Sequence, residues 1–259
     1  MALTPIGTLS IDDGGTGGLP VIFVHSLAGN AAQWSAQLDH LRRSRRAVAV
    51  NLRGHGLSEP PADGNYSIES LAGDIDTIVR RIGMTRFVLV GHSMGGIVAL
   101  AYADANPGQV AGILLADPAG DIRNVPEDQI RPFMNAIESG SYAEAIEDWW
   151  NHLLAGSDEA VRSDVMQDLR DTPQETVVGI FKSSMQYDPL PALSRYGGPI
   201  LSIITPFNDA PFSLHHLHPA LPHKRISGTG HWLQMDKPRE FNRLLDEFLL
   251  TVQQADRSK

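Results

Sequence analysis

The chain has 259 residues, long enough for one large α/β domain with a substantial core. Its 21 basic and 30 acidic residues give a formal charge of −9, which disfavours a polyanion such as nucleic acid as a partner. With no cysteine in the chain, disulfides, thiolate catalysis and cysteine-ligated zinc are excluded. Residues up to about 12 read as an antiparallel edge strand, closed by the glycine-rich turn 14–18. Short apolar runs follow at 21–24, 47–50, 87–90, 112–115 and 200–204. Each is too short for a helix and too uniformly apolar for a strand with one wet face. Helical periods fit between and after them, at 31–42, 68–82, 94–106 and 238–252. Alternation of this kind predicts a mostly parallel sheet with helices on both faces. The basic run Arg42-Arg43-Ser44-Arg45-Arg46 falls at a helix end, where cations complement the dipole, and reads as a solvated terminus.

The rhythm breaks between 121 and 190, where no strand appears and helix starts follow one another. Ser141-Tyr142-Ala143-Glu144 and Thr172-Pro173-Gln174-Glu175 have the capping-box pattern, and Asn124-Val125-Pro126 and Ser157 mark two further starts. We expect about four helices here, forming a cap over a pocket, with 1–120 and 191–259 as the core and 121–190 as the insertion. There is no secretory signal in the first twenty residues and no run long enough to span a membrane, so the expectation is a soluble cytoplasmic protein.

The chemistry concentrates at Gly91-His92-Ser93-Met94-Gly95, where the strand 87–90 meets an alanine-rich helix. Glycines two residues either side of Ser93 permit a very tight strand-to-helix turn that raises Oγ above the sheet edge. The helix start also points the Met94 N–H at any negative charge forming beside Ser93. A serine hydroxyl needs a base, and the base needs an orienting acid. His231 is the best-placed base, in the glycine-rich turn Gly228-Thr229-Gly230-His231 before the last helix. Two acids compete. Asp209 follows the strand 200–204, one strand before His231, and is preferred; Asp117 follows the strand 112–115 and has an ordinary alternative role as a turn residue before Pro118. The small-residue turn after strand 21–24, His25-Ser26-Leu27-Ala28-Gly29-Asn30, offers the Leu27 N–H as a second oxyanion donor beside Met94.

Together these segments resemble the α/β-hydrolase fold family, in its compact capped form. Gly91-His92-Ser93-Met94-Gly95-Gly96 resembles the family's nucleophile turn, Val24-His25 its oxyanion segment, and Arg53-Gly54-His55-Gly56-Leu57-Ser58 its Arg-Gly-His-Gly-x-Ser loop. Gly230-His231-Trp232 with Lys237-Pro238-Arg239-Glu240-Phe241 resembles its closing histidine segment. The resemblance implies an eight-stranded sheet, a cap between strands six and seven, no metal or organic cofactor, and a Ser93–His231–Asp209 triad. Ser26 stands where the family usually has glycine, and Asn51 where an aspartate often precedes the Arg-Gly-His-Gly run. Enol-lactonases of aromatic degradation share a serine-leucine pair at Ser26-Leu27, a mild pull toward lactones.

Other residues have plainer expectations. His25, His55 and His92 brace loops; His25 is also a candidate for the pocket wall, with Ser26, Trp149, Trp150 and Trp232; Arg53 is a loop brace before it is a carboxylate binder. His215, His216, His218 and His223 are read as surface or packing residues, because Pro219 and Pro222 prevent a helix from aligning them as metal ligands. No Gly-x-x-x-x-Gly-Lys loop or dinucleotide fingerprint follows any strand. The expectation is a serine esterase or lactonase acting on a small molecule with an apolar or aromatic part. Alternatives on the same fold are a C–C bond hydrolase, a thioesterase, a perhydrolase, and a small-molecule receptor with slow turnover.

Overall fold

A computed structural model describes residues 3–257. Eight strands form one sheet: β1 (Thr4–Ile6), β2 (Leu9–Gly14), β3 (Val21–Val24), β4 (Ala47–Asn51), β5 (Phe87–His92), β6 (Val110–Ala116), β7 (Ile200–Ile204) and β8 (His223–Arg225). Their spatial order is β1-β2-β4-β3-β5-β6-β7-β8; β2 pairs antiparallel with both β1 and β4, and the other five pairings are parallel. Among the described residues the α-helices are α1 (Ser35–Leu41), α2 (Ile68–Arg81), α3 (Met94–Ala105), α4 (Glu127–Ile137), α5 (Tyr142–Leu153), α6 (Glu159–Asp171), α7 (Gln174–Ser184), α8 (Pro189–Arg195), α9 (Leu214–Leu217), α10 (Leu233–Asp236) and α11 (Pro238–Arg257).

The apolar runs are strands because both of their faces are covered. Ile22 and Val24 of β3 join one hydrophobic cluster with α2, α3 and the cap, while Val21 and Phe23 join another with α1 and α11. Successive side chains point to opposite faces, so a doubly covered strand reads as continuously apolar. Helix α3 is buried nearly all round, between the sheet, α2 and α8, which accounts for its Ala- and Gly-rich composition.

Helices α4–α8 are inserted between β6 and β7 as a cap over the carboxyl edge of the sheet. Ser141 and Thr172 stand just before α5 and α7, but neither closes a capping box. Ser141 makes no side-chain cap bond, and the Thr172 hydroxyl donates backward to the Asp168 carbonyl at 2.8 Å. The basic run after α1 also departs from expectation. Instead of a solvated terminus, Arg42 binds Asp12 at 2.9 Å and Arg46 binds Asp13 at 2.5 Å. These pairs pin the helix end to β2. Among the described residues, no helix is long and apolar enough to cross a membrane.

Strand order decides where a site can form. The chain passes from β3 to β4 on one side and then crosses to β5 on the other, so a crevice opens at the carboxyl ends of β3 and β5. The segments beginning at His25 and Ser93 leave the sheet at that crevice.

Candidate active site

Ser93 caps α3 with φ 53° and ψ −119°, a backbone conformation that L-residues rarely adopt. The flanking glycines are required by close approach. A Cβ at Gly91 would lie 2.2 Å from the Gly95 carbonyl oxygen, and a Cβ at Gly95 would lie 2.5 Å from the carbonyl oxygens of Val24 and His25. The second contact brings the start of α3 against the end of β3, so the Met94 and Leu27 segments share one wall. Ser93 N–H donates to the Ala116 carbonyl at 3.0 Å, which ties the turn to β6. Unlike its immediate neighbours, Ser93 stays partly open, facing a cavity.

That cavity has a volume of about 180 Å³. Ser26, Leu27, Ser93, Met94, His231 and Trp232 line its floor, and the cap closes it with Trp149, Trp150, Leu153, Ile180 and Phe181. Phe207 and Trp149 remain part-exposed at its edge, with ring centroids 6.5 Å apart. The lining is overwhelmingly apolar, so a ligand would be oriented by the few polar groups at the floor.

His231 is buried at the same floor, and its Nδ1 lies 2.6 Å from Asp117 Oδ2. Asp117, not Asp209, therefore holds this imidazole, which corrects the preference drawn from chain order. Asp117 comes directly after β6 at φ 41°, is fully buried, and also accepts from Thr205 N–H at 2.7 Å and Thr205 Oγ1 at 2.9 Å. Three donors thus surround one carboxylate, enough to keep an ionised group buried. Asp209 follows a short 3-10 turn, Pro206–Asn208, that carries it out into solvent. There it binds Arg225 at 2.6 Å and His216 at 2.7 Å. Those two partners, Arg225 first, hold its carboxyl far below the usual range. Among the described residues, the non-glycine positions with positive φ are Ala28, Ser93 and Asp117, and all three lie at this site. Strain of this kind persists only where surrounding contacts over-determine it.

Three further histidines hold the frame. His25 Nε2 accepts from Leu52 N–H at 3.1 Å, so its Nδ1 donates to the Ser26 carbonyl at 2.7 Å. His55 Nε2 accepts from Ala28 N–H at 3.2 Å, so its Nδ1 donates to the Arg53 carbonyl at 2.9 Å. The two rings lie 4.7 Å apart and clasp the segment carrying Leu27. Burial pushes His25 well below its ordinary value and His55 down to about 4, so both are neutral, as their accepting nitrogens require. Of the two roles the sequence offered His25, it takes that of loop brace and does not line the cavity. His92 donates from Nε2 to the His231 carbonyl at 3.0 Å, and its ring lies 4.7 Å from the His231 ring. Burial first, and then His231, lowers its pKa well below the ordinary value.

Ser26 does line the cavity; its hydroxyl is 3.3 Å from Gln33 Oε1. Gln33 and Asn30 in turn donate to Asp168 of α6 at 2.8 and 2.7 Å, linking the loop after β3 to the cap. Arg53 is absorbed by Asp74 at 2.6 Å and by the Asn65 carbonyl at 2.9 Å, a structural pairing with no role at the cavity. Asn51 accepts from Ala31 N–H at 2.7 Å and donates to Ser10 Oγ at 2.8 Å, again a structural contact. Sequence reasoning missed Thr205, Phe207 and Asp168. Only Thr205 carries a signal, as a hydroxyl residue placed directly after an apolar strand.

Comparison with known proteins agrees with the geometry. The family model for the alpha/beta hydrolase fold matches residues 20–238, and the chain belongs to that family. It is similar to a 3-oxoadipate enol-lactonase of Acinetobacter baylyi, 23% identical over 257 residues, covering 95% of this chain and 94% of that one. Among solved structures, a thermophilic esterase from Thermogutta terrifontis superimposes with a TM-score of 0.80 at 24% identity, covering 94% of each chain. A bromoperoxidase from Bacillus anthracis gives 0.82 at 20% identity, covering 96% of this chain and 99% of that one. At such identities the structural likenesses establish the fold, and the chemistry has to be argued from the site.

Proposed function

We propose that this protein is a serine hydrolase that cleaves a small carboxylic ester or lactone through an acyl-enzyme. The observation that carries this reading is the convergence of a strained, cavity-facing Ser93 with His231, whose Nδ1 is 2.6 Å from the buried Asp117 carboxylate. His231 Nε2 takes the proton from Ser93 Oγ as Oγ attacks the carbonyl carbon, and Asp117 holds the imidazolium that results. The tetrahedral oxyanion is met by the N–H groups of Leu27 and Met94, each contributing roughly 3 kcal/mol in a site that excludes water. His231 then protonates the departing alcohol oxygen, and water, activated by the same imidazole, releases the acid from Ser93. Because the two oxyanion donors are backbone groups, the Leu27 and Met94 side chains are free to shape the cavity.

Cavity size bears on the substrate. A cavity of about 150 Å³ accommodates a benzene ring, and the site here is of that order at about 180 Å³ with an apolar wall. A short aliphatic or single-ring acyl or alcohol group fits this space. The similarity to an enol-lactonase over most of both chains supports including lactones.

The test is a panel of p-nitrophenyl esters (acetate, butyrate, benzoate) and five- and six-membered lactones, with Ser93→Ala as the blank. We expect turnover of at least one member, lowered roughly 10⁴-fold or more by Ser93→Ala. Equal turnover in the variant would remove Ser93 from the mechanism.

A further inference from the structure

Although it makes no contact with His231, Asp209 lies at the centre of a second group of donor atoms. We propose that Asp209, His215 and His216 form a binding site for a divalent transition-metal ion of the zinc type. One donor atom from each residue lies within 4.8 Å of the others. His216 Nε2 is 2.7 Å and His215 Nε2 is 3.6 Å from a single oxygen, Asp209 Oδ1. A tetrahedral ion with bonds of about 2.05 Å holds its ligand atoms about 3.3 Å apart. Entry of the ion therefore requires the first separation to open by about 0.6 Å and the second to close by about 0.3 Å, motions within the reach of side-chain rotation.

The ligands are largely pre-placed. His215 is buried, with its ring 4.2 Å from that of His216 and 4.8 Å from that of His223. Arg225 grips the other carboxylate oxygen, Oδ2, at 2.6 Å and so fixes the plane of Asp209 while leaving Oδ1 to the ion. Its positive charge also opposes a cation, so the affinity falls below that of closed structural zinc sites. Two imidazoles and one carboxylate suit zinc, nickel or cobalt. Magnesium and calcium ask for more oxygen ligands. The prolines at 219 and 222 do not interfere, because both histidines come from α9, which precedes them. Asp209 and His216 are exposed, which leaves the remaining coordination to water.

The position gives such an ion a consequence. The loop between β7 and α9 also carries Phe207, Asn208, Ala210 and Phe212, all in the wall of the Ser93 cavity. An ion joining Asp209 to α9 would staple that wall.

The experiment uses tag-free full-length protein, stripped with chelator and titrated calorimetrically with ZnCl₂, with CoCl₂ followed in parallel by visible absorption. We expect one equivalent to bind with a tetrahedral cobalt spectrum, and Tm to rise by roughly 3–5 °C at ten times Kd. His216→Ala and Asp209→Asn should each weaken binding roughly 10-fold or more, whereas His218→Ala should bind as the wild type does. Ser93→Ala should also bind normally, so metal binding is judged separately from the hydrolytic reading. Because residues 209 and 216 are exposed, the variants should keep the wild-type circular dichroism and Tm without metal. Absence of stoichiometric binding, or equal binding by wild type, His216→Ala and Asp209→Asn, would overturn the proposal.

Discussion

Two neighbouring parallel strands, β6 and β7, each deliver an aspartate to the same sheet edge, and the two loops treat it in opposite ways. Asp117 follows β6 without a spacer, adopts φ 41°, and is fully buried among three donors. Asp209 lies beyond a 3-10 turn, in solvent, and is already bound by Arg225 and His216. Chain position selects the edge, and burial selects the partner. A carboxylate that must stabilise an imidazolium acts more strongly in a low-dielectric site than in water. A solvated carboxylate paired with a guanidinium has little left to offer an imidazolium.

The largest expected effect breaks this comparison directly. Asp117→Asn should lower kcat/KM for a hydrolysed ester by roughly 10³–10⁴, because an amide stabilises the wrong imidazole tautomer. In chelator-treated protein, Asp209→Asn should lower it by no more than about threefold. The opposite ranking would return the acid to the β7 loop.

Two changes sharpen the buried side. Gly95→Ala drives a methyl group into the carbonyl oxygens of Val24 and His25 and should destabilise the protein by about 2–4 kcal/mol in urea unfolding. Gly73→Ala, in exposed helix with nothing within 4 Å of the added carbon, should stabilise it by about 0.5–1 kcal/mol. If the two alanines behave alike, the close approach of α3 to β3 is not what the structure rests on. His92→Phe keeps a ring but removes the donor to the His231 carbonyl, and kcat should fall roughly 10- to 100-fold at nearly constant KM. A change confined to KM would make His92 a cavity residue instead of a positioning one.

The smallest effect concerns the cap contact. Burial pushes the Asp168 carboxyl up to about 6, against the donors Gln33 and Asn30. Its folded value lies above the ordinary one, so between about pH 4 and 6 the folded chain binds the proton more tightly than the unfolded chain does. The associated stability is complete below about pH 4 and is lost as pH rises through 6. Urea unfolding should therefore show wild type losing ground to Asp168→Asn between pH 5 and pH 7. Wild type gaining on the variant over that interval would contradict this.

The core strands were legible because they are covered twice. Val21, Phe23, Ile22 and Val24 divide between two hydrophobic clusters, and that leaves a run with no polar gaps. The turn at Ser93 was legible because steric demand writes glycine into the chain at 91 and 95. The partner of His231 was not. It depends on Thr205 meeting Asp117 across β6 and β7, and on Arg225 of β8 drawing Asp209 outward. Those contacts follow from strand order, which linear spacing does not encode. His25 kept two possible roles for a similar reason: an imidazole in the turn after β3 looks available to the pocket until Leu52 N–H and the Ser26 carbonyl are found to occupy both nitrogens. Ser141 and Thr172 marked helix starts correctly, yet their hydroxyls do not satisfy the first-turn amides.

The most direct measurement is the rate and site of covalent labelling by a fluorophosphonate, read by peptide mass spectrometry in wild type, Asp117→Asn and Asp209→Asn. We expect a single adduct on Ser93, formed at similar rates in wild type and Asp209→Asn and at least 100-fold more slowly in Asp117→Asn. An adduct on another residue, or labelling slowed by the loss of Asp209 and untouched by the loss of Asp117, would contradict it.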